Sequence, residues 1–308
     1  MEVRQLEVFL AVAEEQSFTR AAERLHLVQS AVSATIKSLE NELGFTLFLR
    51  GPRTVELTSE GEGLLPAARG AVAALAEARD VAADYRGQVR GTVNLGVLAT
   101  SDSAEIRQAL RAFREAYPEV VVSARTSPTG TAGLIQGVMD GSLDVSIIVL
   151  PFPVPDEIEI LHLFSGEYVF AAAETHPLVS NGRESGKPHA PADPSVLHGL
   201  DLLGMPRGFA MRRAQDDQLA VWGVRSEVRM ELTDVSTLAQ CIADGLGVGL
   251  LPHGAVDAHP QLAVLDIAGV TATWSVGLAT RRGRRRSAAL RLLMQALHDA
   301  TTAPAPET

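Results

Sequence analysis

The sequence predicts an α/β protein in three parts, and three observations carry that prediction. Residues 1–60 place apolar side chains at helical spacing and close on two short strand-like runs around a Gly-Pro turn. From Thr58 to about Tyr85 helix formers run on with Pro66 as the one interior proline. Beyond Gly87 and Gly91, strand and helix patterns alternate, and they restart after Pro151-Phe152-Pro153-Val154-Pro155, as expected of two α/β lobes. The expected division is a module at 1–60, a linker helix at 61–90 and a domain at 91–300. Its first lobe covers about 91–163 and 268–300 and its second about 164–267, with 301–308 a disordered tail.

In the first module, Leu6, Phe9, Leu10 and Ala13 form one helical face, and Glu14-Glu15-Gln16-Ser17 breaks it before a second helix near Phe18. Ala21, Ala22 and Leu25 face inward there, small enough to admit another helix closely. A tight turn around His26 to Val28 leads to a third helix with Val32, Ile36, Leu39 and Leu43 on one side, ended at Gly44. Its other side carries Ser30, Ser33, Ala34 and Lys37, with Gln29 at the start. Short or flexible polar groups of this kind reach phosphates and base edges when a helix enters a major groove, whereas the plainer reading is a solvated face. Phe45 to Arg50 and Thr54 to Leu57 then read as strands around Gly51-Pro52-Arg53, so that Arg50 and Arg53 flank the tip of a hairpin suited, as a wing, to phosphate or minor-groove contact. Three short helices and a hairpin fit a winged helix-turn-helix among other small modules.

Charge argues the other way. The chain has a formal net charge of −10, and phosphate neutralisation by Lys and Arg supplies most non-specific affinity for DNA. Residues 1–60 hold Arg4, Arg20, Arg24, Lys37, Arg50 and Arg53 against nine acidic residues. Any positive surface must come from geometry rather than from excess.

The residues of this module resemble the LysR-type transcriptional regulators. The resemblance rests on Leu6-Glu7-Val8-Phe9, Ser17 to Ala22, Leu25-His26, Gln29, Ala31-Val32-Ser33, Ile36, Leu39-Glu40, Leu43-Gly44, Leu47-Phe48, and Leu57-Thr58 with Gly61. It implies that Gln29, Ser30, Ser33, Ala34 and Lys37 lie on the recognition helix and that Arg50 and Arg53 belong to the wing. The family's Ser-Gln-Pro is Val28-Gln29-Ser30 here, and Val28 has no side-chain acceptor to cap a helix. If Ser30 capped instead, Gln29 would leave the helix. The family often has Arg where Ala34 sits, so fewer phosphate contacts and multivalent binding are expected.

Leu64, Ala68, Ala71, Leu75, Ala78, Ala82 and Tyr85 follow the spacing of a two-helix seam, so the linker helix is expected to pair subunits; the alternative is a helix packed on its own domain. The large domain is similar to the family's effector domain, itself like periplasmic solute-binding proteins. Open α/β sheets bind ligands at the carboxyl ends of strands. Thr100, Ser101 and Asp102 follow the first strand, and Thr129 and Gly130 precede the second helix. The resemblance makes Thr100, Ser101, Thr129 and Gly130 effector contacts, joined by Arg207 and Thr233 from the second lobe; helix capping alone is the competing explanation. Asp102 disfavours an anionic effector.

The expected partners are double-stranded DNA, a small-molecule effector, a second copy in a dimer extending to a tetramer, and RNA polymerase. No cofactor, metal or membrane partner is expected. No apolar run is long enough to span a bilayer, and Met1 to Leu6 lead straight into an amphipathic pattern, so a cytoplasmic protein is expected. Cys241, the single cysteine, lies in an apolar helical pattern as a buried thiol. The histidines lack metal-ligand spacing, and Gly245-x-Gly247-x-Gly249 follows a helix rather than a strand, unlike a dinucleotide loop. Arg281-Arg282-Gly283-Arg284-Arg285-Arg286 suits nucleic acid, or more readily a solvated loop before the last helix. An α/β enzyme would need a nucleophile or cofactor motif, and none stands out; an exported solute-binding protein would need a signal segment.

Overall fold

The computed structural model describes residues 1–51, 55–84, 89–98, 103–179 and 191–302. The chain forms two compact units. One comprises Met1–Arg90, Met139–Ser142 and Arg285–Ala288; the other comprises Gly91–Val138, Leu143–Arg284 and Ala289–Thr308.

The first unit contains α1 (Val3–Glu15), α2 (Phe18–Arg24), α3 (Gln29–Leu43), the hairpin β1 (Phe48–Arg50) and β2 (Val55–Leu57), and α4 (Ser59–Asp84). Local chemistry sets the breaks. Gln16, at φ +47, turns the chain out of α1, and Ser17 then caps α2 by accepting the Arg20 N–H at 3.3 Å. Gly44 ends α3 in the left-handed region at φ +81, its N–H donating to the Glu40 carbonyl. Phe9, Val12, Ala21, Ala22, Ile36 and Leu39 make a common buried core with Phe48 of the hairpin. The Phe48 ring lies 5.6 Å from Phe9 and meets Phe18 edge-on at 5.8 Å. The hairpin is also tied by polar bonds, since the Leu47 N–H donates to Glu40 Oε1 at 2.8 Å. Thr58 Oγ1 donates to the Thr46 carbonyl and accepts the Gly61 N–H, which starts α4 beside the hairpin.

Helix α4 runs through Pro66 for 26 residues. Its expected seam is divided between two tasks. Ala68 is buried in the core of the N-terminal module, and Leu64 packs against the same core with Leu65 and Val72. Ala71, Ala78 and Ala82 are exposed and Leu75 is half-buried, while Tyr85 lies outside the described residues. The self-packed alternative therefore holds for the first half of the helix, because the spacing of a coil seam equals that of any helix face turned to a core. Within this unit Arg69 pairs with Asp140 at 2.6 Å, both largely shielded from solvent.

The second unit contains, in order, β3 (Gly91–Val97), α5 (Ala104–Ala116), β4 (Val120–Thr126), α6 (Gly130–Met139), β5 (Val145–Leu150) and β6 (Ile158–Ala173). There follow β7 (Asp201–Gly204), α7 (Ala210–Trp222), β8 (Glu227–Glu231), α8 (Val235–Ala243), β9 (Val248–Pro252), α9 (His253–Asp257), β10 (Leu262–Val264), β11 (Thr273–Arg281) and α10 (Ala288–Thr302). The strands join in the order β4-β3-β5-β11-β6-β9-β7-β8, with β10 on β6. β3 runs parallel to β4 and β5, and β7 runs parallel to β8 and β9, so each half of the sheet has its own parallel set.

One correction concerns β6, which sequence patterning divides into strands at 159–163 and 168–173. It is a single 16-residue strand. The polar Ser165-Gly166-Glu167 stays extended by pairing with Thr273–Ser275 of β11, and Gly166 leaves room for the Trp274 indole. From Tyr168 onward the same strand pairs with β9, so β6 crosses from one half of the sheet to the other. A second correction is that α10 continues to Thr302, past the expected start of the tail at 301; residues 303–308 lie outside the described residues.

Candidate nucleic-acid interface and ligand cleft

The faces of α3 divide cleanly. Val32, Ile36 and Leu39 are fully buried, whereas Gln29, Ser30, Ala34 and Lys37 are exposed and Ser33 is half-buried. Val28 is the capping residue and gives no side-chain bond, so the helix begins at Gln29, and Gln29 remains on it. The Gln29 amide nitrogen donates to Ser33 Oγ at 2.9 Å, one turn along. The bond links the two side chains at the helix start, with Gln29 exposed and Ser33 half-buried.

Charge pairing sharpens the picture. Arg4 pairs with Glu7 at 3.1 Å, Arg20 with Glu15 at 3.6 Å and Arg24 with Glu14 at 2.6 Å. Among the described side chains of residues 1–60, Lys37 is the cation outside any ion pair. The backbone places Arg50 at the loop end of the hairpin, opposite Val55; Arg53 lies outside the described residues. Sequence reasoning missed the exposed apolar groups of this module. Val28, at the start of α3, is 67% exposed, and Leu49 in the hairpin is 58% exposed. Both are visible in the sequence only as apolar residues outside the core spacing.

In the second unit, three of the predicted ligand contacts follow the carboxyl ends of parallel strands. Thr129 follows β4, Arg207 follows β7 and Thr233 follows β8, and all three are exposed. The ends of β7 and β8 are held together where the Leu232 N–H donates to the Gly204 carbonyl at 3.0 Å. Thr100 and Ser101 fall outside the described residues. Gly130 is buried, and a Cβ there would lie 2.7 Å from the Phe209 ring, so it offers little surface to a ligand. Ser127 Oγ and Thr129 Oγ1 lie 3.2 Å apart, and the Thr129 N–H donates to Ser127 Oγ. The Ala132 N–H donates to the Gly208 carbonyl at 3.1 Å, so the second half of the sheet supplies an acceptor to the first turn of α6.

Two side chains on α7 were not anticipated. Arg212 is nearly buried and braces the strand ends, donating to the Met205 carbonyl at 3.2 Å, to Glu231 at 2.5 Å and to Asp216 at 2.9 Å. Gln215 is fully buried against Gly204, and among the described residues neither its amide nitrogen nor its oxygen has a partner. A polar residue in a mixed helix pattern gives no signal of such burial.

Comparison with known proteins settles what these two units are. Residues 3–62 match the model for the bacterial regulatory helix-turn-helix protein, lysR family, and residues 86–302 match the LysR substrate binding domain. The chain belongs to the LysR family. It is a DNA-binding transcription regulator with an effector-binding domain. Among its relatives, a probable hydrogen peroxide-inducible genes activator from Streptomyces viridosporus is 32% identical, covering 96% of this chain and 93% of the relative. One of the same description from Mycobacterium leprae is 31% identical over 93% and 90%. A full-length OxyR variant from Pseudomonas aeruginosa superposes with a TM-score of 0.69 at 24% identity, over 100% of this chain and 99% of that one. CbnR complexed with its target DNA gives 0.62 at 23%, over 97% and 100%. At these identities the two structures show the shared fold.

Proposed function

We propose that this LysR-family regulator reads DNA with the outer face of α3 and is controlled by a small molecule bound at the strand ends of its second unit. The observation that carries the reading is the division of α3 into a buried apolar face and an exposed face holding Gln29, Ser30, Ala34 and Lys37, with Ser33 at its edge. Gln29 and Ser33 present base-edge donors and acceptors, Lys37 meets a phosphate, and Val28 offers an apolar contact of the kind that suits a thymine methyl. Arg50 and Arg53 act from the wing.

The exposed Ala71, Ala78 and Ala82 of α4 support pairing with a second copy, which presents two α3 helices to half-sites about 34 Å apart or a multiple of that. Thr129, Arg207 and Thr233, joined by Thr100 and Ser101, are the proposed effector contacts. A bound molecule fits the thiol inventory better than an intrachain disulfide does, because Cys241 is the single cysteine. The protein works in the cytoplasm and is not an enzyme, and family membership supports both statements. No helix among the described residues is long and apolar enough to cross a membrane.

The test is operator binding by Ser33→Glu and Lys37→Glu, with dimerisation followed by light scattering. Both substitutions put negative charge against phosphate and abolish specific binding while the dimer persists. Wild-type affinity and sequence preference in both variants would remove α3's outer face from DNA.

A further inference from the structure

The turn between β7 and α7 reaches across to the first turn of α6 and joins the two halves of the sheet. Gly208, at φ +99, offers its carbonyl to the Ala132 N–H at 3.1 Å. A Cβ on Gly208 would stand 2.7 Å from the Thr129 carbonyl oxygen, so backbone meets backbone there. Next to it, the buried Phe209 ring covers Gly130, at φ +61, and a Cβ on Gly130 would enter that ring. Each half thus contributes one glycine in a left-handed conformation with no room for a side chain, an arrangement that only glycine satisfies without strain. The turn is stiffened from below, because Arg212 holds the Met205 carbonyl.

The covalent links between the halves are the strand β6 and the connection from β10 to β11. Gly208–Phe209 adds a tie that is not covalent and can open. It uses one of the donors that the start of α6 leaves without an intrahelical partner, so opening the tie exposes a donor instead of breaking the helix. Thr129 immediately precedes Gly130, and Arg207 immediately precedes Gly208. A molecule that engages Thr129 and Arg207 therefore acts on the residues adjacent to both halves of the tie.

We propose that Gly208 and Phe209 form a latch that holds the lobes together without effector, and that the effector acts by releasing it. The second part rests on the reading that an effector binds between Thr129 and Arg207. A ligand shifts such an equilibrium only through its differential affinity for the two states, and displacement of the Gly208 carbonyl supplies the difference.

The full-length protein is tested by hydrogen exchange resolved at the Ala132 amide, which requires no ligand. Wild type protects Ala132, and Phe209→Ala speeds its exchange tenfold or more while Leu134–Val138 keep their protection. Phe209→Leu, which keeps an apolar side chain without the flat ring, serves if the alanine variant does not fold. An unprotected Ala132 in wild type, or unchanged exchange in the variants, overturns the latch whatever the effector is. Footprinting on the DNA upstream of the gene tests the regulatory part. A changed span of protection in the variant without ligand supports it, and a footprint identical to wild type overturns it even where the exchange result holds.

Discussion

Lys37→Gln isolates the electrostatic part of DNA recognition. Lys37 is exposed on α3 and, among the described side chains of residues 1–60, is the cation outside any ion pair, so its charge is available to a phosphate. Each phosphate contact contributes about 0.9 to the slope of log affinity against log salt, and a dimer loses two contacts, so the slope falls by about 1.8. At about 0.15 M salt one such contact corresponds to roughly fivefold in affinity, and two to roughly thirtyfold. Folding is unaffected within about 0.5 kcal/mol, since the side chain touches no core group. The assay is fluorescence anisotropy on an operator duplex across a salt series, with Arg4→Gln as control because Arg4 is paired with Glu7 on α1. An unchanged slope in Lys37→Gln, or an equal fall in Arg4→Gln, would refute a local contact by Lys37.

Two further outcomes are expected from the second unit. Gln215→Leu replaces a buried amide that has no partner with an apolar group of similar length, and it raises stability by about 1–2 kcal/mol, read as a higher denaturation midpoint. A lower midpoint would mean that the amide is satisfied in solution. His176 has its pKa lowered from the ordinary imidazole value by burial, and its Nδ1 accepts the Leu178 N–H at 3.3 Å, which only the neutral ring can do. Because the folded pKa lies below the unfolded one, this stability is present above about pH 6.5 and is lost as pH falls through that value toward the folded pKa. Thermal melting between about pH 5 and 7 should show the loss, and His176→Asn, which keeps an acceptor, should reduce it.

Much of this architecture is legible because burial imposes a period. Val32, Ile36 and Leu39 specify α3 and its outer face together, since one buried stripe leaves one exposed stripe. The alternating elements after Gly91 identify two α/β halves for the same reason. What escapes the sequence is which partner a face meets. Leu64 and Ala68 turned to their own core have the same spacing as a dimer seam. Strand β6 looks interrupted at Ser165-Gly166-Glu167 because the Trp274 ring that accompanies Gly166 comes from a strand far along the chain. Gly130 was legible as a residue just before the second helix but not as the seat of Phe209, which depends on a contact between lobes. Short elements such as β7 and α9 carry too few residues to express a period at all.

The negative net charge, which argues against a DNA-binding protein, becomes intelligible once the pairs are assigned. Three of the module's arginines are paired with Glu7, Glu14 and Glu15, where they brace α1 and α2 at exposed sites of modest energetic value. Among the described side chains of the module, Lys37 is then the cation left for a phosphate, so charge supplies a small share of a single module's attraction to DNA. Pairing of two modules, as proposed for α4, would multiply weak contacts, provided that their separation matches the half-sites. Under that condition affinity depends on geometry more than on charge. A change in the spacing of the two modules then has a large effect on binding, whereas in a strongly basic protein the non-specific term would mask it. The sparse charge of the N-terminal module thus leaves its binding responsive to how two copies are spaced.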